Sequence, residues 1–194
     1  MDLGDGVDSA YANTCHLPYV QIIQGDIFNP PFAECTYDTI FSIGVLMHTG
    51  NARRATESLM RLIKPGGSVA VHLYGRGNFI YEWVDRKLRD RTTKFSIPNL
   101  QAFTSRLWRL VRFLQRAHLL KLVGHFIRLD PHPHCIFDWY AAPIATHHTH
   151  SEVKGWFRKA GMKVVKTDEP RRLRSRLKRH VAVYDVTVRG ERPA

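Results

Sequence analysis

Three segments decide how this chain folds: Gly25-Asp26-Ile27-Phe28-Asn29-Pro30-Pro31-Phe32, Tyr37-Asp38-Thr39-Ile40-Phe41-Ser42-Ile43-Gly44-Val45-Leu46-Met47-His48, and Leu62-Ile63-Lys64-Pro65-Gly66-Gly67. A β-branched run, Val20 to Gln24, leads into the first and stops at Gly25-Asp26. Tyr37 to Ile43 predicts a strand that Gly44 ends, and Ser68 to Tyr74 predicts another, opened by Pro65-Gly66-Gly67 and closed by Gly75. Between them Ala55, Leu59, Leu62 and Ile63 share one helical face of the stretch Ala52 to Ile63. Gly6 to Cys15 is a shorter helix candidate. Strand, helix and strand at this spacing predict parallel βαβ units, which leave ligand sites at the carboxyl ends of the strands.

Further along, the pattern changes. Phe79 to Leu129 reads as helical and basic. Leu107, Leu110, Val111, Leu114, Leu122, Val123 and Phe126 form an apolar stripe, and Arg106, Arg109, Arg112, Arg116 and Lys121 fall off it. Asp130 to His150 is rich in Pro and His and reads as a loop. Ser151 to Gly161 predicts a helix, capped by His150 or Ser151 and stopped by Gly161. Met162 to Thr167 and Val181 to Val188 predict a closing antiparallel pair around the basic stretch Arg171 to Arg179.

Composition bounds the answer. The chain has 194 residues, enough for one domain with a sizeable core, and 44% of them are hydrophobic. Its 29 Lys and Arg against 17 Asp and Glu give a net charge of +12. Residues 1–80 carry 5 basic and 7 acidic side chains, so the remaining 24 and 10 concentrate the excess in the second half. No apolar run reaches the ~20 residues of a membrane span. The N-terminus lacks the basic and apolar regions of a secretory signal. Three widely spaced cysteines without a Cys-x-x-Cys pair argue against a disulfide framework or a cysteine zinc site and fit a reducing cytoplasm.

The three quoted segments, in this order, resemble the class I S-adenosylmethionine-dependent methyltransferases that modify small molecules. Glu152-Val153-Lys154-Gly155-Trp156-Phe157 to Gly161, followed by a strand, looks like that family's last helix and strand. The resemblance implies one methyltransferase-like domain over residues 1–194. Residues 1–78 would form a partial cofactor-binding core, 79–150 a helical and His-rich insertion, and 151–194 the last helix and strand pair. It implies an α/β, Rossmann-like sheet and S-adenosylmethionine as cofactor. Asp2-Leu3-Gly4-Asp5-Gly6 could pass for the family's glycine-rich loop, but no strand precedes it and Ser9 stands at the third glycine position. Asp26, leading through Asn29-Pro30-Pro31-Phe32 into the Tyr37 strand, therefore matches the residue that takes the adenine amino group. Asp2 then matches the acidic residue that holds the ribose. In that register the first strand, the glycine-rich loop and the first helix are missing, and an N-terminally truncated enzyme with a weakened methionine cradle is expected.

The remaining site candidates follow from that register. Ile27 would pack on the adenine, and Ile43 and Gly44 would bring backbone to the cofactor; plain core and a strand stop are the alternatives. Methyl transfer is an in-line displacement, so positioning does most of the work and a base is needed only when the acceptor must lose a proton. His48, His72 and Tyr74 are the catalytic candidates. His147, His148 and His150 are expected to face the substrate, a small-molecule methyl acceptor. Their spacing fits no specific metal signature, and no metal is expected. The 107–126 stripe reads first as a lid, then as a peripheral membrane contact or a partner helix. Nucleic acid is the second choice of partner for the basic half, although Arg171 to Arg179 lacks aromatic residues for stacking.

Overall fold

The computed structural model describes residues 1–124, 126–130, 132–169 and 185–194. The expected Arg171–Arg179 stretch and the first half of the expected Val181–Val188 strand lie outside the described residues. The elements run α1 (Gly6–Thr14), β1 (Tyr37–Ile43), a 3-10 turn (Leu46–His48), α2 (Ala52–Arg61), β2 (Ile63–Leu73), α3 (Phe79–Thr92), α4 (Ile97–Arg116), α5 (Leu120–Val123), α6 (Pro133–Ala141), α7 (His150–Lys159), β3 (Lys163–Thr167) and β4 (Val186–Glu191).

The strand order is β1-β2-β4-β3. β1 and β2 are parallel, and β4 runs antiparallel to both β2 and β3. The mixed α/β sheet with its antiparallel closing pair is the Rossmann-like architecture that the sequence predicted. Register fixes its two faces, because side chains alternate along each strand. Ile40, Val69, Val71, Leu73 and Val188 face α2 and α7 and join a core with Leu59, Val153 and Phe157. Phe41 and Ile43 alternate to the other side, where they are 72% and 67% exposed. No described helix covers them, so this sheet face is bare.

Several local differences have physical causes. The Val20–Gln24 run forms only one parallel bridge, Asp2 to Gln24. It pairs with two N-terminal residues rather than with a full strand, so the ladder ends after Asp2 N donates to Ile23 O (3.2 Å) and Gly25 N to Asp2 O (2.9 Å). β2 begins at Ile63, five residues earlier than expected, because Lys64–Gly67 is a bulge within the strand and no turn before it: Tyr37 pairs with Ile63 and Thr39 already with Ser68. Gly67 is needed there, since a Cβ would lie 2.7 Å from Asp38 O.

The supposed loop Asp130–His150 contains α6. Pro133 sits in its first turn, where a missing N–H costs nothing, and Ile136, Trp139 and Tyr140 at i, i+3 and i+4 bury one face. That face meets Leu100, Val111 and Tyr81 in a second core cluster, against which Tyr74 also packs. The 107–126 stripe is thereby split: Val111 and Leu114 are buried, whereas Leu110 and Leu122 are exposed. The cap of α7 is Thr149, not His150 or Ser151. Its hydroxyl accepts the Glu152 N–H (3.2 Å) and the Glu152 carboxylate accepts the Thr149 N–H, a reciprocal capping box.

Candidate functional site

Parallel pairing puts the carboxyl ends of β1 and β2 side by side, with Ile43 opposite His72. Gly44 ends β1 at φ +73°, a left-handed conformation that suits glycine, and its N–H donates to His72 O (3.2 Å). The turn that follows is anchored by Leu46 and Met47, both fully buried. Met47 O accepts the Thr146 N–H (3.0 Å) and hydroxyl (3.1 Å), which ties the 143–148 segment to this turn.

His48 is held by that tie. Its Nδ1 lies 2.6 Å from Ile144 O. A carbonyl only accepts, so Nδ1 carries the proton and Nε2 keeps its lone pair in the neutral ring. The Tyr74 ring meets His48 edge-on, with centroids 5.4 Å apart, and packs on Trp139 at 4.3 Å. Burial pushes the Tyr74 hydroxyl above its ordinary pKa, so it stays a phenol.

His147 closes the far side of this aromatic wall. It stacks on Trp139 at 5.7 Å and 19°, and its ring centroid lies 6.1 Å from that of Tyr74. Its Nδ1 lies 2.7 Å from Glu82 Oε2, while Glu82 Oε1 accepts the Gly77 N–H (2.6 Å). Burial pushes the Glu82 carboxyl up, but the hydrogen bond and charge of His147, the Gly77 N–H and Arg76 together outweigh it and the net pKa is lowered. His147 Nε2 is buried and has no hydrogen-bond partner among the described residues; it lies 4.0 Å from Asp85 Oδ2. Asp85 accepts from Trp139 Nε1 (2.6 Å) and from Arg89 Nη2 (3.3 Å), and Arg89 Nη1 also donates to Ala142 O (3.0 Å).

The structure thus brings His48, Tyr74 and His147 together and leaves the other histidines elsewhere. His148 is buried behind them, between Glu152 Oε1 (3.1 Å) and Thr146 Oγ1 (2.9 Å). His150, 3% exposed, pairs with Asp168 at the start of α7. Its burial differs from the substrate-facing position expected from the sequence. His72 alternates onto the bare sheet face, where its Nδ1 meets Thr187 Oγ1 (3.0 Å), away from Tyr74. Glu82, Asp85 and Trp139 were not singled out from sequence; the signals were the i, i+4 pair Asp85–Arg89 and the Trp139 position on the α6 stripe.

On the cofactor side, Asp2 is exposed and its carboxylate accepts only the Gly4 N–H (2.8 Å) among the described residues. The Asp2–Gln24 bridge sets it beside Gly25-Asp26. Asp26 accepts Phe28 N–H (2.8 Å) and Asn29 Nδ2 (3.1 Å), an Asx turn that fixes the loop and leaves further lone pairs on both oxygens. Ile27 is half-buried against the core, and its carbonyl accepts Ser58 Oγ (2.5 Å). A cavity of about 640 Å³ lies between this segment and β1, lined by Met1, Ile23, Ile27, Phe41, Ile43 and Val45. Ile27 and Ile43 line this cavity, whereas Asp2, Asp26 and Gly44 are not among its lining residues. Among the described residues no three His, Cys, Asp or Glu side chains are placed to hold a metal ion.

Residues 4–71 match a family model described as "Methyltransferase domain". Over that segment the chain is similar to a methyltransferase domain. The matched segment includes Asp26, Ile27, Ile43, Gly44 and His48. A protein of Encephalitozoon cuniculi named as a methyltransferase is 28% identical over 57 residues, which are 28% of this chain and 27% of that protein. The chain therefore aligns with about a quarter of the length of that curated relative. Among solved structures, a Bacillus halodurans protein named as a methyltransferase covers the whole chain and 81% of its own length, at 12% identity and a TM-score of 0.56. An O-methyltransferase family protein of Burkholderia thailandensis covers the whole chain and 42% of its own length, at 15% identity and a TM-score of 0.53. At these identities the two structures show a shared fold.

Proposed function

We propose that this chain serves methyl transfer from S-adenosylmethionine to a small organic acceptor, and that residues 1–194 alone grip the cofactor weakly. The methyltransferase match over residues 4–71 carries the reading. Asp2 would take the ribose hydroxyls, Asp26 the adenine amino group, and Ile27 the apolar ring face. When bound, the cofactor supplies a methyl group on a sulfonium whose thioether leaves without a proton. Ile43 and Gly44 would close the site from the β1 side.

His48 supports the acceptor chemistry. Its Nδ1–H is spent on Ile144 O, so Nε2 is the atom that takes a proton from an acceptor hydroxyl or amine. Tyr74 stands beside His48, backed from the core by the buried Trp139, and Glu82 fixes His147 behind it. The methionine half is the weak point, because the outer edge of β1 pairs no described strand and opens directly onto the cavity.

Isothermal titration with S-adenosylmethionine and with adenosine tests this. Both should bind at similar, weak affinity, and Asp26→Ala should weaken both by about tenfold or more, as loss of a charged hydrogen bond predicts. Micromolar binding of S-adenosylmethionine would show that residues 1–194 hold the whole cofactor by themselves. Failure of both ligands to bind at millimolar concentration would overturn the cofactor reading.

A further inference from the structure

We propose that the outer surface of α4 and α5 docks this protein on an anionic lipid bilayer. The inference does not depend on the methyl-transfer reading, because it rests on a different face of the molecule. Residues 91–129 contain eight Lys and Arg and no Asp or Glu. Within that span the core takes only part of the apolar side chains. Leu100 and Val111 are buried against α6, with Phe103 and Leu107 packed beside them, and Leu114 is buried as well. Leu110 (47% exposed), Phe113 (65%), Leu119 (45%) and Leu122 (63%) remain outside.

Helical spacing places charge and apolar surface together. Phe113 has Leu110 three residues before it, Arg109 four before it and Arg116 three after it, so the four side chains are neighbours on one surface. Arg106 stands four residues before Leu110 in the same way. All three arginines are exposed. Leu119 N donates to Leu114 O (2.9 Å) across the α4–α5 turn, and Leu122 on α5 is exposed as well.

This combination selects the partner. A nucleic-acid backbone would reward the arginines and nothing else, leaving Phe113 and Leu122 in water. A second copy would face its own positive charge. An anionic bilayer accepts both parts: Phe and Leu enter the acyl boundary while the arginines keep their guanidinium groups at the lipid phosphates. No described helix is long and apolar enough to cross a membrane, so the contact lies along the surface.

Flotation of the full chain with mixed phosphatidylcholine–phosphatidylglycerol vesicles is the test, with pure phosphatidylcholine vesicles as comparison. The chain should float with the anionic vesicles, and less as salt rises. The pair Phe113→Ser and Leu122→Ser should lower the partition coefficient about tenfold or more with an unchanged circular dichroism spectrum, and Arg109→Ser with Arg116→Ser should do the same. Absence of flotation would overturn the proposal. Binding unaffected by the Phe113 and Leu122 substitutions, or displaced by polyuridylate RNA, would do so too, the latter pointing to a nucleic-acid surface.

Discussion

Asp85 shows what single residues hold in place. Its carboxylate is 4% exposed and joins α3 to α6 through Trp139 Nε1, while neutralising the buried Arg89. Removing one partner of a buried ion pair strands the other, which costs about 3–5 kcal/mol. Asp85→Ala should therefore lose about that much in urea unfolding, and a loss below about 1 kcal/mol would mean that Arg89 finds another partner. Acid sensitivity also has named sources. Burial lowers the pKa of His148 below its ordinary 6.5, although Glu152 pulls the other way. Burial raises Glu82, but His147, the Gly77 N–H and Arg76 together reverse the sign; burial likewise raises Asp168, and the Thr187 and His150 hydrogen bonds together outweigh it. All three bind fewer protons folded than unfolded, so each adds stability above its ordinary pKa and loses it as pH falls. Thermal midpoints should begin to fall below pH 6.5 and drop further below 4.5. A midpoint that stays flat down to pH 5 would exclude the His148 contribution.

Elements differ in how openly the sequence announces them. β1 was legible because Tyr37–Ile43 is β-branched and aromatic and ends at a glycine; α2 and α7 were legible from their apolar spacing. α6 was hidden by its Pro- and His-rich surroundings, which mark loops by composition, although Pro133 and His134 sit in a helix's first turn. Alternation also decides which residue of a strand reaches a site, and that needs the register: His72 and Tyr74 are two apart, yet the strand ends between them. The capping of α7 is a measurable element-scale term. Thr149→Ala should cost about 1 kcal/mol in chemical denaturation. Gly190 on β4 is tighter still, because a Cβ there would enter the Phe157 ring of α7. Gly190→Ala should cost about 1–3 kcal/mol through overpacking, and a neutral result would mean that α7 can shift away.

At the scale of the molecule, the described helices cover the sheet on one face only. Phe41 is an apolar side chain with water on it, so Phe41→Thr should raise solubility in a precipitation assay while changing stability by no more than about 0.5 kcal/mol. Its bareness was not readable from the strand pattern, since β1 looks like any buried strand; it follows from which neighbours the fold supplies. The two core clusters have a further consequence. Each contains one buried tryptophan, Trp156 in the sheet core and Trp139 in the helical cluster, and Tyr74 packs against both. Each indole is therefore an optical probe of its own cluster. Variants that keep one of the two as the only tryptophan would report by fluorescence whether the clusters melt together. A shared midpoint would show that one aromatic ring between two cores is enough to make them a single thermodynamic unit.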